Sequence, residues 1–137
     1  GVQLEVGSVA TDFEHRSYSD ELLRCQRYHY VHADGAWASD SHVGISSYYN
    51  ASVLMMGVQF PVTMRTKPTF SHTSGTDYYR NYANGGADTF NGYTYLFSES
   101  LTSCAIQAES NVSGTAGHSG RTELMNSASK ISFSAEL

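Results

Sequence analysis

Charge is scarce in this chain. Lys, Arg, Asp and Glu make up 15% of its 137 residues, where a soluble domain ordinarily carries roughly 25%. The eight Lys and Arg are scattered and outnumbered by thirteen Asp and Glu, giving a net charge of −5. Binding to nucleic acid needs a clustered basic face, so none is expected. No run approaches the roughly 20 apolar residues of a membrane-spanning helix, and the opening residues have no signal-peptide pattern; no membrane insertion is expected. Gly1 in place of Met reads as the start of a piece cut from something longer. Only two prolines, Pro61 and Pro68, and one tryptophan, Trp37, are present. Cys25 and Cys104 stand far apart without metal-type neighbours. Two buried, reduced, unreactive thiols are therefore expected rather than a disulfide.

Catalytic patterns are missing too. There is no G-x-S-x-G elbow, no H-E-x-x-H, no paired C-x-x-C and no phosphate loop. Gly117-His118-Ser119-Gly120 places His beside Ser, but neighbours in sequence rarely share a catalytic hydrogen bond. His29 and His32 would point to opposite faces of a strand, so they cannot share a metal within one chain. Only a three-fold axis could gather copies of one of them around an ion. Asp34, Asp40, Asp77 and Asp88 fall in predicted loops, where aspartate usually makes turns, and nothing pairs them as glycosidase carboxylates are paired. The expectation is a protein that is not an enzyme, with no cofactor and no metal.

What the chain does contain is 20 Ser, 11 Thr, 12 Gly and 10 Tyr. Ser, Thr and Gly weaken helix interiors, while Tyr and Thr suit pleated surfaces, so strands and tight turns should dominate. Val2, Leu4 and Val6 alternate as in an extended arm. Ser19 or Asp20 can cap a short helix to about Gln26, with Leu22, Leu23 and Gln26 at helical spacing. From Arg27 the period becomes two, with Tyr28, Tyr30 and His32 on one side. Residues 33–41 read as a loop carrying Trp37. Residues 51–61 read as the most buried strand, and 62–70 as a strand that breaks at Pro68. Residues 71–92 read as loop-rich, with turn signals at Asn84-Gly85-Gly86 and Asn91-Gly92. Strands are expected over 93–100 and 102–110, the latter pointing Cys104, Ile106 and Ala108 to one side, and residues 111–120 read as a flexible loop. In the closing ISFSAEL, Ile131, Phe133, Ala135 and Leu137 should face inward. Seven or eight short strands at this spacing predict an all-β, antiparallel sandwich, jelly-roll-like, with one short helix. An extended arm or neck would occupy 1–18 and the head 19–137.

The run QLEVGSVATDFEHRSYSDELLRCQRYHY (3–30) resembles the junction found in many phage and prophage tail-fibre proteins. There a stretch of the type QLE-x-G-x-x-AT-x-FE-x-R ends a carbohydrate-binding-like domain and ELxxCQRYYY opens the terminal head. Matching residues are Gln3-Leu4-Glu5, Gly7, Ala10-Thr11, Phe13-Glu14-His15-Arg16, Glu21-Leu22 and Cys25-Gln26-Arg27-Tyr28; FPVTMRTKPT (60–69) and the closing ISFSAEL are similar as well. These pieces cover about a third of the chain. One departure is His29, where the family more often shows a third Tyr. The resemblance implies the C-terminal tip of a tail fibre, a homotrimer at the distal end of the virion, made in the host cytoplasm, that attaches to a bacterial glycan or protein receptor. An arm with little core of its own would bury its apolar side chains against neighbouring subunits, which makes Leu4, Phe13, Arg16, Arg27, Tyr28 and Tyr30 candidate neck or interface residues.

Aromatic density in the predicted loops supplies candidate receptor contacts. Trp37 stands beside Asp34 and Asp40, Tyr48-Tyr49-Asn50 precedes the buried strand, and Asp77-Tyr78-Tyr79-Arg80-Asn81-Tyr82-Ala83-Asn84 follows a Gly turn. Sugars bind where a ring covers their C–H face and Asn, Asp or Arg takes their hydroxyls. The candidate contacts are Trp37, Asp77, Tyr78, Tyr79, Arg80, Asn81, Tyr82 and Asn84. The same tyrosines also suit strands, with rings in the core or at a subunit contact, and the sequence leaves both readings open. A purely structural trimerising cap, a trimeric bacterial adhesin and, least favoured, a polysaccharide-degrading enzyme are the alternatives.

Overall fold

The computed structural model of the chain describes residues 6, 7, 9, 12, 15–36 and 40–136. Leu4, Phe13, Trp37 and Leu137 lie outside the described residues. The architecture is all-β, antiparallel and sandwich-like, with one short helix. Helix α1 (Tyr18–Gln26) is followed by β1 (His29–Asp34), β2 (His42–Asn50), β3 (Val53–Gln59), β4 (Thr69–His72) and β5 (Tyr79–Ala83). Then come β6 (Gly86–Phe90), β7 (Tyr95–Phe97), β8 (Ser103–Ala108), β9 (Ser119–Leu124) and β10 (Lys130–Ser134). The strands form a small sheet in the order β1-β10-β4 and a large one in the order β6-β5-β9-β2-β3-β8-β7.

Helix α1 starts one residue before the expected cap, because the Ser17 hydroxyl accepts the Asp20 amide at its N-terminus, satisfying one of the orphan donors there. Asp20 and Glu21 in its first turn and Arg24 in its last complement the helix dipole. No residue of α1 is buried, and Cys25 is exposed as a free thiol. The expectation of two buried thiols therefore holds for Cys104 alone, whose thiol burial pushes up to about 12.

The core lies between the sheets and is largely aromatic. Phe133 on β10 stacks on Tyr30 at 6.4 Å and meets Phe60 edge-on at 5.2 Å and Phe70 at 5.5 Å. Phe70 reaches Tyr93 at 6.4 Å, and Tyr93 closes a triangle with Tyr79 and Phe90 at 5.3 and 5.6 Å. Edge-to-face and offset pairs of this kind each contribute about 0.5–1.5 kcal/mol beyond their burial. Leu54, Met56, Val58, Cys104, Ile106 and Ala108 fill the large sheet's side of the interior, and Ile131, Phe133 and Ala135 the small sheet's, as their alternation predicts.

Two expectations are corrected. Residues 71–92 are not loop-rich, since β5 and β6 form a hairpin there around Asn84-Gly85, both at positive φ, the geometry that favours Asn-Gly in a two-residue turn. Residues 61–68 are not a strand. Met64 is nonetheless fully buried, with its amide bonded to the Leu101 carbonyl at 2.7 Å, and the strand begins after Pro68.

Two histidines are partly buried. His32 lies between Tyr30 and Phe133, its Nε2–H directed to the Val43 carbonyl at 2.9 Å, and His72 stacks on Phe70. Burial lowers both pKa values below the ordinary histidine value. As the pH falls below about 6.5 the unfolded chain therefore takes up protons before the folded one, so stability is full above that value and declines with acidification. Tm should be lower at pH 5.5 than at pH 7.5, and His32→Gln should flatten the difference. An unchanged slope would remove His32 from this account.

Candidate functional site

The stretch read as a receptor loop is split between the two faces of β5. Tyr79 and Asn81 point into the core and are completely buried. The Tyr79 hydroxyl donates to the Thr73 carbonyl at 2.7 Å, its ring stacks on Phe90, and burial raises its pKa to about 12. Asn81 accepts a hydrogen bond from the Thr122 hydroxyl, which in turn lies 2.6 Å from that of Ser46. These two side chains cannot touch a receptor without unfolding the sheet, and their reading as loop contacts is withdrawn. Tyr78 is half-buried against the core.

The opposite face of β5 is accessible. Tyr82 lies beneath two guanidinium groups, Arg80 at 4.6 Å and Arg121 at 4.8 Å from its ring centroid. Arg80 is held by Glu123 at 2.7 Å and Asp40 at 3.2 Å, and Arg121 by Glu123 at 2.9 Å. The Glu123 carboxylate stabilises the charged Arg80 and raises its pKa further. Asp77, at φ 56°, and Asn84, at φ 50°, stand in turns. Asp77 accepts from Asn111 at 3.4 Å and donates its amide to Asn91.

Sequence reasoning missed a cleft of about 210 Å³ between the turn that joins β5 to β6 and the 111–118 loop. It gathers Asn84 with Asp88 of β6 and with Ser113, Thr115 and His118 of the loop, over the end of β2 at Tyr48. The signal that could have found it is the pair of Gly-rich turns flanking polar side chains. A second cleft, about 480 Å³, opens between His72, Thr76, Asn91 and Ser110. Among the described residues no group of three His, Cys, Asp or Glu is placed to hold a metal ion, and no helix is long and apolar enough to cross a membrane.

Comparison with family models, with curated proteins and with solved structures finds no match.

The candidate neck residues divide by environment. Arg16 pairs with Glu21 at 2.9 Å on the exposed side of α1. The Arg27 carbonyl accepts the Arg65 amide and that of Tyr28 the Ala135 amide, while Arg65 lies over the Tyr28 ring at 5.4 Å. These contacts fasten the end of α1 to the head. Tyr30, partly buried, packs against Phe60 and Phe133 of its own chain. Tyr18, Leu22, Leu23 and Tyr28, together with Val6 and Val9, expose apolar surface.

Proposed function

We propose that this chain is the head of a bacteriophage tail fibre, a homotrimer at the distal end of the virion that attaches to a glycan or protein on a bacterial surface without turning it over. The observation that carries this reading is the uncovered apolar surface of the segment preceding the head. Within residues 6–28, Val6, Val9, Tyr18, Leu22, Leu23 and Tyr28 stand exposed, and helix α1, which carries three of them, has no buried residue of its own. Burial of apolar surface is the main favourable term in association, and the sequence 3–30 resembles the junction that opens the terminal head of phage tail-fibre proteins. Loops at the far end of the sandwich are left to meet the cell.

Light scattering should give about three times 15.0 kDa. Replacing both Leu22 and Leu23 by Asp should return the mass to that of one chain while the head stays folded, since neither side chain contributes to its core. A wild-type chain that is monomeric at micromolar concentration would remove the reading. A structural trimerising cap is the second reading, favoured by the burial of Tyr79 and Asn81, which takes two candidate contacts away from any receptor. It predicts the trimer without adhesion to bacteria.

A further inference from the structure

The cleft between the β5–β6 turn and the 111–118 loop holds polar groups that its own chain leaves unused. Of the six asparagines in the sequence, five have side chains bonded within the protein. Asn50 accepts from Ser52, Asn81 from Thr122, Asn91 from the Asp77 amide and Asn126 from the Ala128 amide, while Asn111 donates to Asp77 and to the Thr89 carbonyl. Asn84 has no side-chain partner among the described residues, and it stands on the cleft rim. Its amide offers two donors and an acceptor. Asp88 is fixed by one oxygen only. Its Oδ2 accepts the Tyr48 hydroxyl and the Ser113 amide, each at 3.0 Å, and its Oδ1 has no hydrogen-bond partner among the described residues. The Thr115 hydroxyl and the His118 ring, also in the lining, likewise have no partner among the described residues.

The loop that presents these groups is held in place. The Gly114 amide donates to the Ala51 carbonyl at 2.9 Å, the Gly117 amide to the Tyr48 carbonyl at 2.8 Å, and the Tyr48 amide to the His118 carbonyl at 2.9 Å. Gly114 lies flat on the Tyr48 ring, and any Cβ there would run into it. A site whose groups are positioned before binding loses little freedom when it is filled.

We infer that this cleft binds one unit of a neutral saccharide through its hydroxyls. The inference rests on the receptor-binding reading above and names its ligand class and site. A sugar hydroxyl both donates and accepts, and an amide, a hydroxyl, an imidazole and one free carboxylate oxygen answer neighbouring hydroxyls of that kind. The single carboxylate, with no cation lining the cleft, disfavours phosphate, sulfate and acidic sugars. It is also too few hard ligands for a divalent cation. A volume of about 210 Å³ lies below the roughly 300–1,000 Å³ of sites for drug-sized ligands, which fits one ring rather than a chain. The larger cleft is a poorer candidate because its one amide side chain is already bonded and it has no carboxylate. Asn91 donates to Ser110 at 3.3 Å and accepts from the Asp77 amide, and His72 stacks on Phe70.

The test probes an array of bacterial surface polysaccharides with the full chain and measures adhesion to whole bacteria in parallel. Asn84→Gly keeps the left-handed turn and removes the amide; Thr115→Val keeps the shape and removes the hydroxyl. Each should weaken binding to the recognised polysaccharide by about five- to tenfold, as the loss of one hydrogen bond implies. Thr76→Val in the larger cleft should leave binding unchanged, and all three variants should melt with the wild type. If both cleft variants bind like the wild type, this site is wrong while the receptor reading stands. If the wild type binds no polysaccharide, the saccharide is wrong, and adhesion to whole bacteria then decides between a protein receptor and the structural cap.

Discussion

A Tyr79→Ala chain should melt roughly 10–20 °C below the wild type, a loss of about 3–5 kcal/mol. Tyr79 is completely buried, stacks on Phe90 at 5.5 Å, and meets Tyr93 edge-on at 5.3 Å. Its hydroxyl donates to the Thr73 carbonyl at 2.7 Å and lies 3.3 Å from that of Lys130, joining the large sheet to the end of β4 and the start of β10 in the small one. Truncation would empty a ring-sized space and leave the strongest of those acceptors without its donor, and both effects act in the same direction. Tyr82→Ala is the matched control. Three residues along the same strand, Tyr82 faces outward between Arg80 and Arg121, and its removal should cost about 1 kcal/mol or less. Thermal or denaturant melts of the two variants measure the difference. A larger loss for Tyr82→Ala than for Tyr79→Ala would mean that the register of β5 against β9 is shifted by one residue, since such a shift exchanges the two faces.

Phe133→Ala should be at least as damaging. Phe133 is fully buried at the centre of the aromatic core, within 6.5 Å of Tyr30, His32, Phe60 and Phe70 measured between ring centroids. A loss of about 3–5 kcal/mol is a large part of the roughly 5–15 kcal/mol that holds an ordinary domain together. The variant should therefore be largely unfolded in mild urea that leaves the wild type intact. Phe133→Leu keeps most of the apolar volume and should recover more than half of the loss. Failure of leucine to rescue would point to ring geometry rather than volume as what the site requires.

The parts of the fold that could be read from the sequence are those where hydrophobicity and face agree. On β8, Cys104, Ile106 and Ala108 alternate with Ser103, Ala105 and Gln107, and on β10 Ile131 and Phe133 are the inward pair; both strands were legible by period alone. The helix was legible from the spacing of Leu22, Leu23 and Gln26, although its cap is Ser17 rather than Ser19 or Asp20. The hairpin of β5 and β6 was not, although its Asn-Gly turn was, because the buried face of β5 carries Asn81 beside Tyr79. An asparagine inside a sheet is tolerated only when a partner meets it. Here that partner is Thr122, itself bonded to Ser46 from a strand far off in sequence. Polar residues that bond one another across strands remove the alternation that sequence reasoning depends on, so β5 read as loop and β9 was not read as a strand. The Asn84 cleft was hidden for a related reason. Asn84 and Asp88 belong to one hairpin and Thr115 and His118 to a distant loop, and only the pairing of β5 with β9 and β9 with β2 brings them together.

The place of β10 governs how quickly this chain can acquire its structure. Strands β1 and β4 do not pair with each other; each pairs with β10. Val31 must wait for Ser132, and in the large sheet Ile45 must wait for Arg121. A chain emerging from the ribosome therefore holds β1 and β4 without their partner until β10 has been made. Closing such long loops is paid in entropy before any contact returns it, which places refolding in the millisecond-to-second range typical of sandwiches rather than the microseconds of helical bundles. During that interval the exposed edges of β1 and β4 can pair with another chain. Yield of folded protein should thus depend on concentration and on rate of synthesis more steeply than the stability of the finished sandwich would suggest.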